Sequence, residues 1–571
     1  MRVKIIHWVV ILSFLYIAFN ILNIEVLQGK KFKDLSIQNC IRLIPQEGSR
    51  GRILDRQGNI IVDNSLSYNV LVSALGNNAV DKALLGASRI LGTDFKALKD
   101  TFRKRYVASF MPATIAKNID IKKAIALEEL KPDLDNIIIQ PYPLRNYPYG
   151  KLACHVIGYL NEIDLWRLTK LADYGYKTRD IVGFGGVEEK YDYLLRQETG
   201  GLSVAVDHRG RFANVVGFKP PQNGKDIQLT IDLKIQKIVE DKLKGWNGSV
   251  VLMNPYTGEV IAMANCPSFD PVLFVKKSDS SLSGIFNDPD ATFVNRAISA
   301  AYAPGSVFKL VTAAAALETG KINSSTTINC SGGLRIGNRQ FACWDTHNQQ
   351  DLTSAIADSC DVFFYRAGIM VGAQTIYDYA VKFGFAHTTG IDLPYEVPGF
   401  VPSPLLRKIY TFKNWFEGDT ANFSIGQGDL LVTPLQVARM IGVFANKGTL
   451  VTPYLIKSIG DSDFTNLKRK NVKLSLKDAT INYIRQGMRE VVSDPKGTAN
   501  ILSGLPIAVA GKTGTAQVSR GQPHGWFSGF FPYQSPKFVI CVFLERGGSG
   551  HQASSVAKQI IEDMIQQGLV N

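Results

Sequence analysis

Tyr302-Ala303-Pro304-Gly305-Ser306-Val307-Phe308-Lys309 is the stretch on which the reading of this sequence turns. A Pro-Gly pair leads into an Ala- and Leu-rich run, Val307 to Leu317, which predicts a helix with Ser306 in its first turn. Lys309 then lies one turn further along the same face. A serine hydroxyl is a poor nucleophile until a neighbouring base takes its proton, and a lysine does so once burial or nearby positive charge leaves it partly neutral. The helix N-terminus favours negative charge developing beside Ser306. The same spacing recurs at Ser493/Lys496 and Ser555/Lys558. The first of these belongs to the turn sequence Ser-Asp-Pro-Lys-Gly and the second to a closing amphipathic helix, so both read as ordinary surface residues and Ser306 stands as the candidate nucleophile.

Two further clusters lie downstream. Ser359-Cys360-Asp361 opens the apolar run Val362-Phe363-Phe364-Tyr365. Lys512-Thr513-Gly514-Thr515 reads as a strand, bracketed by Ile507, Val509 and Val518, with a glycine that lets a substrate backbone approach closely. Its lysine and the hydroxyls of Thr513 and Thr515 are donors suited to a carboxylate. Main-chain N–H groups of Ser306 and Thr515 would form an oxyanion hole.

At 571 residues the chain suggests two or three domains, and 45% hydrophobic residues allow large cores. Ile5 to Ile24 is apolar apart from His7, Ser13, Asn20 and Asn23. About 20 residues at about 1.5 Å each span a hydrocarbon core of roughly 30 Å, so this reads as one transmembrane helix. Arg2 and Lys4 precede it, which keeps residues 1–4 cytoplasmic and sends the rest across the membrane as an uncleaved signal anchor. The net charge of +14 is dispersed, without an aromatic-interleaved basic block; it points away from nucleic acid and towards anionic lipid or an anionic wall polymer. Seven cysteines, Cys40, Cys154, Cys266, Cys330, Cys343, Cys360 and Cys541, are too few and too loosely spaced for a dense disulfide framework.

Between the anchor and about residue 230 the sequence predicts short strands (Ser67 to Ser73, Ile137 to Gln140, Ser203 to Val206) around a mostly helical insert from Val80 to Glu129. The turn Pro220 to Asp226 marks a hinge. Beyond it come a helix (Leu233 to Leu243), two strands (Ser249 to Asn254, Glu259 to Asn265), the Ser306 helix, a largely helical middle, the Lys512 strand, another at Phe538 to Glu545, and a closing helix, Val556 to Ile565. This α+β order resembles that of the serine β-lactamase-like fold, which implies a mainly antiparallel sheet flanked by helices with the first and last elements packed together.

Ser306-x-x-Lys309, Ser359-Cys360-Asp361 and Lys512-Thr513-Gly514, in this order, resemble the catalytic set of β-lactamases and penicillin-binding proteins. Asn295-Arg296-Ala297, Gly390 to Pro394, Gly418-Asp419-Thr420, Ile425 to Gly428, Thr433 to Gln436 and His524-Gly525-Trp526-Phe527 extend the likeness across the module. Upstream, Arg50 to Gly58, Arg145 to Gly150 with His155 and Gly158-Tyr159, and Gly183 to Glu188 with Tyr191 resemble the signature stretches of the pedestal in class B penicillin-binding proteins. Within that pedestal His155 reads as a hydrogen-bonded structural histidine. Asp361, where such families usually carry asparagine, is similar to the penicillin-binding protein 2 branch; a carboxylate accepts hydrogen bonds from Lys309 or substrate amides but donates none.

The resemblance implies residues 1–4 as cytoplasmic tail, 5–24 as anchor, 25–230 as an elongated, mostly β pedestal and 231–571 as a serine transpeptidase domain at the bacterial inner membrane, facing the periplasm. It implies a serine-type D-Ala-D-Ala carboxypeptidase/transpeptidase that cross-links peptidoglycan stem peptides during cell elongation. Catalysis would rest on Ser306, Lys309, Ser359, Asp361 and Lys512, with Thr513, Gly514 and Thr515 holding substrate and Ser359 relaying a proton to the leaving amine. Its partners would be lipid-linked stem peptide, the membrane, a membrane glycan polymerase and β-lactams, and no nucleic acid. A division enzyme, a non-enzymatic scaffold, a penicillin sensor and a β-lactamase are the competing readings. No cofactor is required for catalysis. Cys330, Cys343, His347 and Cys360, with Asp345 as an alternative, have the donor types of a structural zinc site, such as some penicillin-binding proteins 2 carry. A Cys330–Cys343 disulfide and unpaired thiols are the alternatives.

Overall fold

The computed structural model describes residues 2–33, 41–73, 79–106, 112–130, 132, 136–206, 212–276, 288–465 and 469–570; Cys40 lies outside them. Helix α1 (Arg2–Leu22) begins an apolar span, Lys4–Leu27, of mean hydropathy 2.2 with none of it buried. Among the described residues it is the one helix long and apolar enough to cross a membrane. The chain forms two compact units: Met1–Gly51, Asn64–Asn146 and Arg196–Gly224, and Arg52–Asp63, Tyr147–Leu195 and Lys225–Asn571.

In the first unit Ile41–Gln46, Gly200–Val206 and Phe212–Lys219 make a three-stranded antiparallel sheet. A second core gathers Val70, Val72, Leu84, Leu98, Ala113, Leu127 and Ile137 beneath the helices Ala79–Leu91, Phe95–Arg105 and Ile121–Glu129. Asp94 and Asp120 cap the second and third of these helices by accepting from backbone N–H groups. The insert is less helical than its sequence predicts, because Ala113–Ile119 is a strand paired antiparallel with Tyr68–Val72. Thr114, Ile115 and Ile119 favour a strand while the Ala, Lys and Asn residues between them do not, and the pairing decides the outcome.

The second unit is built on a five-stranded antiparallel sheet, in spatial order β2-β1-β5-β4-β3, from β1 (Gly248–Met253), β2 (Val260–Cys266), β3 (Ala510–Ala516), β4 (His524–Phe531) and β5 (Phe538–Leu544). β1 and β5 are buried along their whole length, as expected of strands covered on both faces. Helix α2 (Leu233–Leu243), capped by Asp232, packs against the closing helix α6 (Gly550–Gln566), and Lys242 Nζ meets Asp563 Oδ2 at 2.8 Å. The core helix α3 (Lys309–Glu318) is buried from Lys309 to Ala316, followed by α4 (Leu352–Ala357) and α5 (Asp361–Val371).

Several pedestal-signature residues also fold within this unit. Arg52 grips Asp226 Oδ2 through Nε (2.9 Å) and Nη2 (2.7 Å), and Asp55 Oδ1 accepts from the N–H groups of Gln57 and Asn59 at 2.8 Å. His155 is buried with Nε2 2.7 Å from Thr292 O, and burial pushes it down to about 4, so it is a neutral structural donor.

Candidate active site and an adjoining thiol cluster

Ser306 sits on a tight single turn, Gly305–Phe308, immediately before α3 instead of inside it. Gly305 has φ +55, a left-handed conformation that glycine adopts without strain, and a Cβ there would stand 2.7 Å from Thr515 O. Gly514 faces the same turn: a Cβ on it would lie 2.7 Å from Pro304 O and 2.9 Å from Val307 Cγ2. Two glycines thus let β3 press against the Ser306 turn. The turn is held further by Gly305 N donating to Gly426 O (3.0 Å) and Trp526 Nε1 donating to Ala303 O (3.0 Å).

Lys309 is fully buried, and its ammonium donates to Asp361 Oδ1 (2.7 Å), Ser359 O (2.7 Å) and Ser359 Oγ (3.3 Å). All three protons of the group find acceptors. Ser359 follows α4 with φ +55, which turns its carbonyl towards Lys309; such a conformation in a non-glycine residue costs about 1–3 kcal/mol and persists only where its surroundings hold it.

Lys512, on β3, is also fully buried, and its Nζ has no hydrogen-bond partner among the described residues. Burial, and then repulsion from Lys309, drives it well below the ordinary lysine range and favours the uncharged amine. A carboxylate brought to this nitrogen would supply the missing partner. Thr515 is exposed and its Oγ1 accepts from Gly550 N at 3.2 Å, leaving its own proton to donate. Thr513 is nearly buried and its Oγ1 lies 2.7 Å from that of Thr498.

The fold therefore brings together Ser306, Lys309, Ser359, Asp361, Lys512, Thr513, Gly514 and Thr515. Thr498 is a residue that no motif in the sequence marks: it follows the turn holding Ser493 and Lys496 and places its hydroxyl against Thr513. The competing serines are elsewhere. Ser493 Oγ donates to Arg489 O, and Lys558 pairs with Glu562 on the surface of α6.

Beside this site two short antiparallel strand pairs, one nested in the loop of the other, hold two of the thiols, and the third, Cys360, caps α5. Ile328–Cys330 pairs with Asn348–Gln350, and Gly333–Ile336 with Arg339–Ala342, bringing Cys330 and Cys343 together. No Cys330–Cys343 disulfide forms; both thiols are free. One ligand atom from each of Cys330, Cys343, His347 and Cys360 lies within 4.8 Å of all the others. His347 Nδ1 is 3.6 Å from Cys330 Sγ and 3.5 Å from Cys343 Sγ. Tetrahedral zinc with bonds of about 2.3 Å to sulfur has sulfur–sulfur edges of about 3.8 Å, so three thiols and one imidazole in this space fit that ion. Asp345, the alternative ligand, is outside the group: its carboxylate accepts from Thr346 N and only its backbone oxygen faces Cys330.

Comparison with known proteins agrees with this geometry. The model of the penicillin-binding protein transpeptidase domain matches residues 248–566, and that of the penicillin-binding protein dimerisation domain matches residues 45–229. Peptidoglycan D,D-transpeptidase MrdA of Escherichia coli K12 is 31% identical over 580 residues, covering 96% of this chain and 91% of that protein. A complex between penicillin-binding protein PBP2 and MreC from Helicobacter pylori matches with a TM-score of 0.83 and 26% identity, covering 93% of this chain and 99% of that one. A further structure, described as the structural coordination of polymerization and crosslinking by a peptidoglycan synthase complex, matches with a TM-score of 0.75 and 26% identity over 98% of this chain and 97% of that one.

Proposed function

As the chain belongs to the class B penicillin-binding proteins, with a dimerisation module ahead of a transpeptidase module, we propose that it cross-links peptidoglycan stem peptides through an acyl-enzyme on Ser306. The observation that carries this reading is the meeting of three separate motifs around one buried lysine: Lys309 on Ser359 and Asp361, Lys512 beside it, and Gly514 against the Ser306 turn.

Lys512 binds the terminal carboxylate of a stem peptide ending in D-alanine, taking up a proton as it does so, with Thr515 donating alongside. Lys309 cedes a proton to Asp361, 2.7 Å away, and then accepts the proton of Ser306 as its oxygen attacks the penultimate D-alanine carbonyl. The tetrahedral oxyanion collapses, the carbon–nitrogen bond breaks, and Ser359 relays a proton from Lys309 to the departing D-alanine amine. An amine of a neighbouring stem then attacks the ester carbonyl and gives a proton to Lys309, the carbon–oxygen bond to Ser306 breaks, and Ser306 recovers its proton from Lys309. Water in place of that amine gives the carboxypeptidase reaction, and a penicillin acylates Ser306 by the same first step.

The anchor, Lys4–Leu27, holds this site outside the inner membrane, in the periplasm, where glycan strands emerge. Strands come from a membrane glycan polymerase, a reading supported by the synthase-complex relative, and the MrdA and PBP2 likenesses favour elongation over division. Cys330, Cys343, His347 and Cys360 hold a structural zinc ion, which when bound cross-links the two strand pairs to the N-terminus of α5. The test is product analysis with lipid-linked substrate and a polymerase of the elongation machinery. Cross-linked muropeptides with wild type and none with Ser306→Ala are expected; equal cross-linking by both would overturn the assignment.

A further inference from the structure

The thiol cluster and the second catalytic motif share residues. Cys360 is the middle residue of Ser359-Cys360-Asp361 and the N-cap of α5, its Sγ accepting from Phe363 N at 3.5 Å. The next peptide unit donates from Asp361 N to Cys343 Sγ at 3.2 Å. The residues on either side of Cys360 are the ones that hold Lys309, through Ser359 O and Asp361 Oδ1, both at 2.7 Å. Sulfur on one side of this turn therefore positions the acceptors on the other. Cys343 is half-buried and reachable by small solutes, while Cys360 is buried behind it, within 4.8 Å. A disulfide needs sulfurs about 2.05 Å apart, so linking the two free thiols shifts Cys343, the Cys360 turn, or both.

We propose that Cys343 and Cys360 are a thiol-oxidation site that governs the second motif: joining them releases any zinc they hold and draws Asp361 and Ser359 away from Lys309. This rests on the Ser306 acyl-enzyme reading for its effect on activity, and on geometry alone for its chemistry. With hydrogen peroxide as oxidant, the Cys343 sulfur attacks one peroxide oxygen, the oxygen–oxygen bond breaks, and water and a sulfenic acid form. The Cys360 sulfur then attacks the Cys343 sulfur, a sulfur–sulfur bond forms, and the sulfenic oxygen leaves as water with the Cys360 proton. Two thiols and one peroxide give one disulfide and two waters; the sulfurs lose two electrons and the peroxide gains them. A disulfide sulfur is a poorer acceptor than a thiolate, so the hydrogen bond from Asp361 N is lost as well.

The experiment uses the full chain in detergent with zinc bound, treated with hydrogen peroxide at one to a few equivalents. Linked peptides are mapped by mass spectrometry, released zinc is read with a chromogenic chelator, amide exchange is followed across residues 355–365, and the rate of acylation by a fluorescent penicillin is measured. The expected result is a Cys343–Cys360 linked peptide, zinc release, faster exchange across that segment and acylation slowed at least tenfold, all reversed by dithiothreitol with added zinc. A linked pair that leaves exchange and acylation unchanged overturns the proposal, as does peroxide treatment that consumes other thiols and leaves these two. If untreated protein fails to react with penicillin, the acyl-enzyme reading falls, while the linked peptide, zinc release and exchange still decide this one.

Discussion

Replacing Gly514, which the sequence also places beside the substrate, with alanine tests the junction between β3 and the Ser306 turn while leaving the side chains of Ser306, Lys309, Ser359, Asp361 and Lys512 unchanged. The added Cβ would stand 2.7 Å from Pro304 O, 2.9 Å from Val307 Cγ2 and 3.2 Å from Trp526 Cβ, where ordinary contact begins at 3.4 Å. Pro304 O is backbone, and Val307 and Trp526 are fully buried, so neither neighbour is a flexible tip that can swing aside. The strand or the Ser306 turn must therefore retreat by about 0.7 Å, an overpacking that costs about 1–3 kcal/mol. A misplacement of about 1 Å between reacting groups costs about a hundredfold in rate, so a shift of this size predicts acylation slowed by roughly ten- to fiftyfold. The assay is stopped-flow acylation by a fluorescent penicillin, with thermal melting to confirm the fold. Gly504→Ala, at an exposed site where a Cβ meets nothing within 4 Å, is the control and should match wild type. Gly514→Ala protein that melts normally and reacts within twofold of the wild-type rate would refute the close packing of β3 on the Ser306 turn.

Further predictions use the same assays. Asp361→Ala leaves the buried Lys309 ammonium with two acceptors and should lower stability by about 3 kcal/mol, the low end for a broken buried pair because Asp361 is 17% exposed; Asp361→Asn keeps an acceptor oxygen and should cost less in both melting and acylation. Glu240 is pushed up to about 7 by burial, so its contribution to stability is present below the ordinary carboxylate range and is lost as pH rises through about 7, whereas His155, pushed down to about 4, contributes above the ordinary imidazole value and is lost as pH falls towards 4. Melting followed from pH 4 to 8 should flatten on the alkaline side in Glu240→Gln and on the acid side in His155→Gln; unchanged pH profiles would contradict both assignments. Removing zinc with a strong chelator should lower the melting temperature, and restoring zinc, but not magnesium, should recover it.

The three candidate motifs were legible because each sits in adjacent residues that the fold then brings together: Ser306 and Lys309 one turn apart, Ser359 and Asp361 flanking one cysteine, Lys512 to Thr515 on one strand. What the sequence could not supply was closure across long separations. Lys309 meets Asp361 through the left-handed Ser359, and nothing in the local sequence announces that conformation. Thr498 reaches Thr513 only because a turn and a strand pack together, and Ala113–Ile119 becomes a strand only through Tyr68–Val72. The cysteines give the sharpest contrast. Irregular spacing leaves zinc, disulfide and free thiols open in the sequence, while the paired strands around Cys330, Cys343 and His347 and the N-cap of α5 at Cys360 bring three sulfurs and an imidazole together and leave Asp345 outside.

The central claim is that Ser306, activated through Lys309, is the residue that becomes acylated. The direct measurement is peptide mapping by mass spectrometry after brief exposure of the full-length protein to a penicillin. The expected result is a single adduct on the peptide containing Ser306, absent from Ser306→Ala protein that melts like wild type. An adduct on the peptide containing Ser493 or Ser555, or equal labelling of the Ser306→Ala variant, would contradict it.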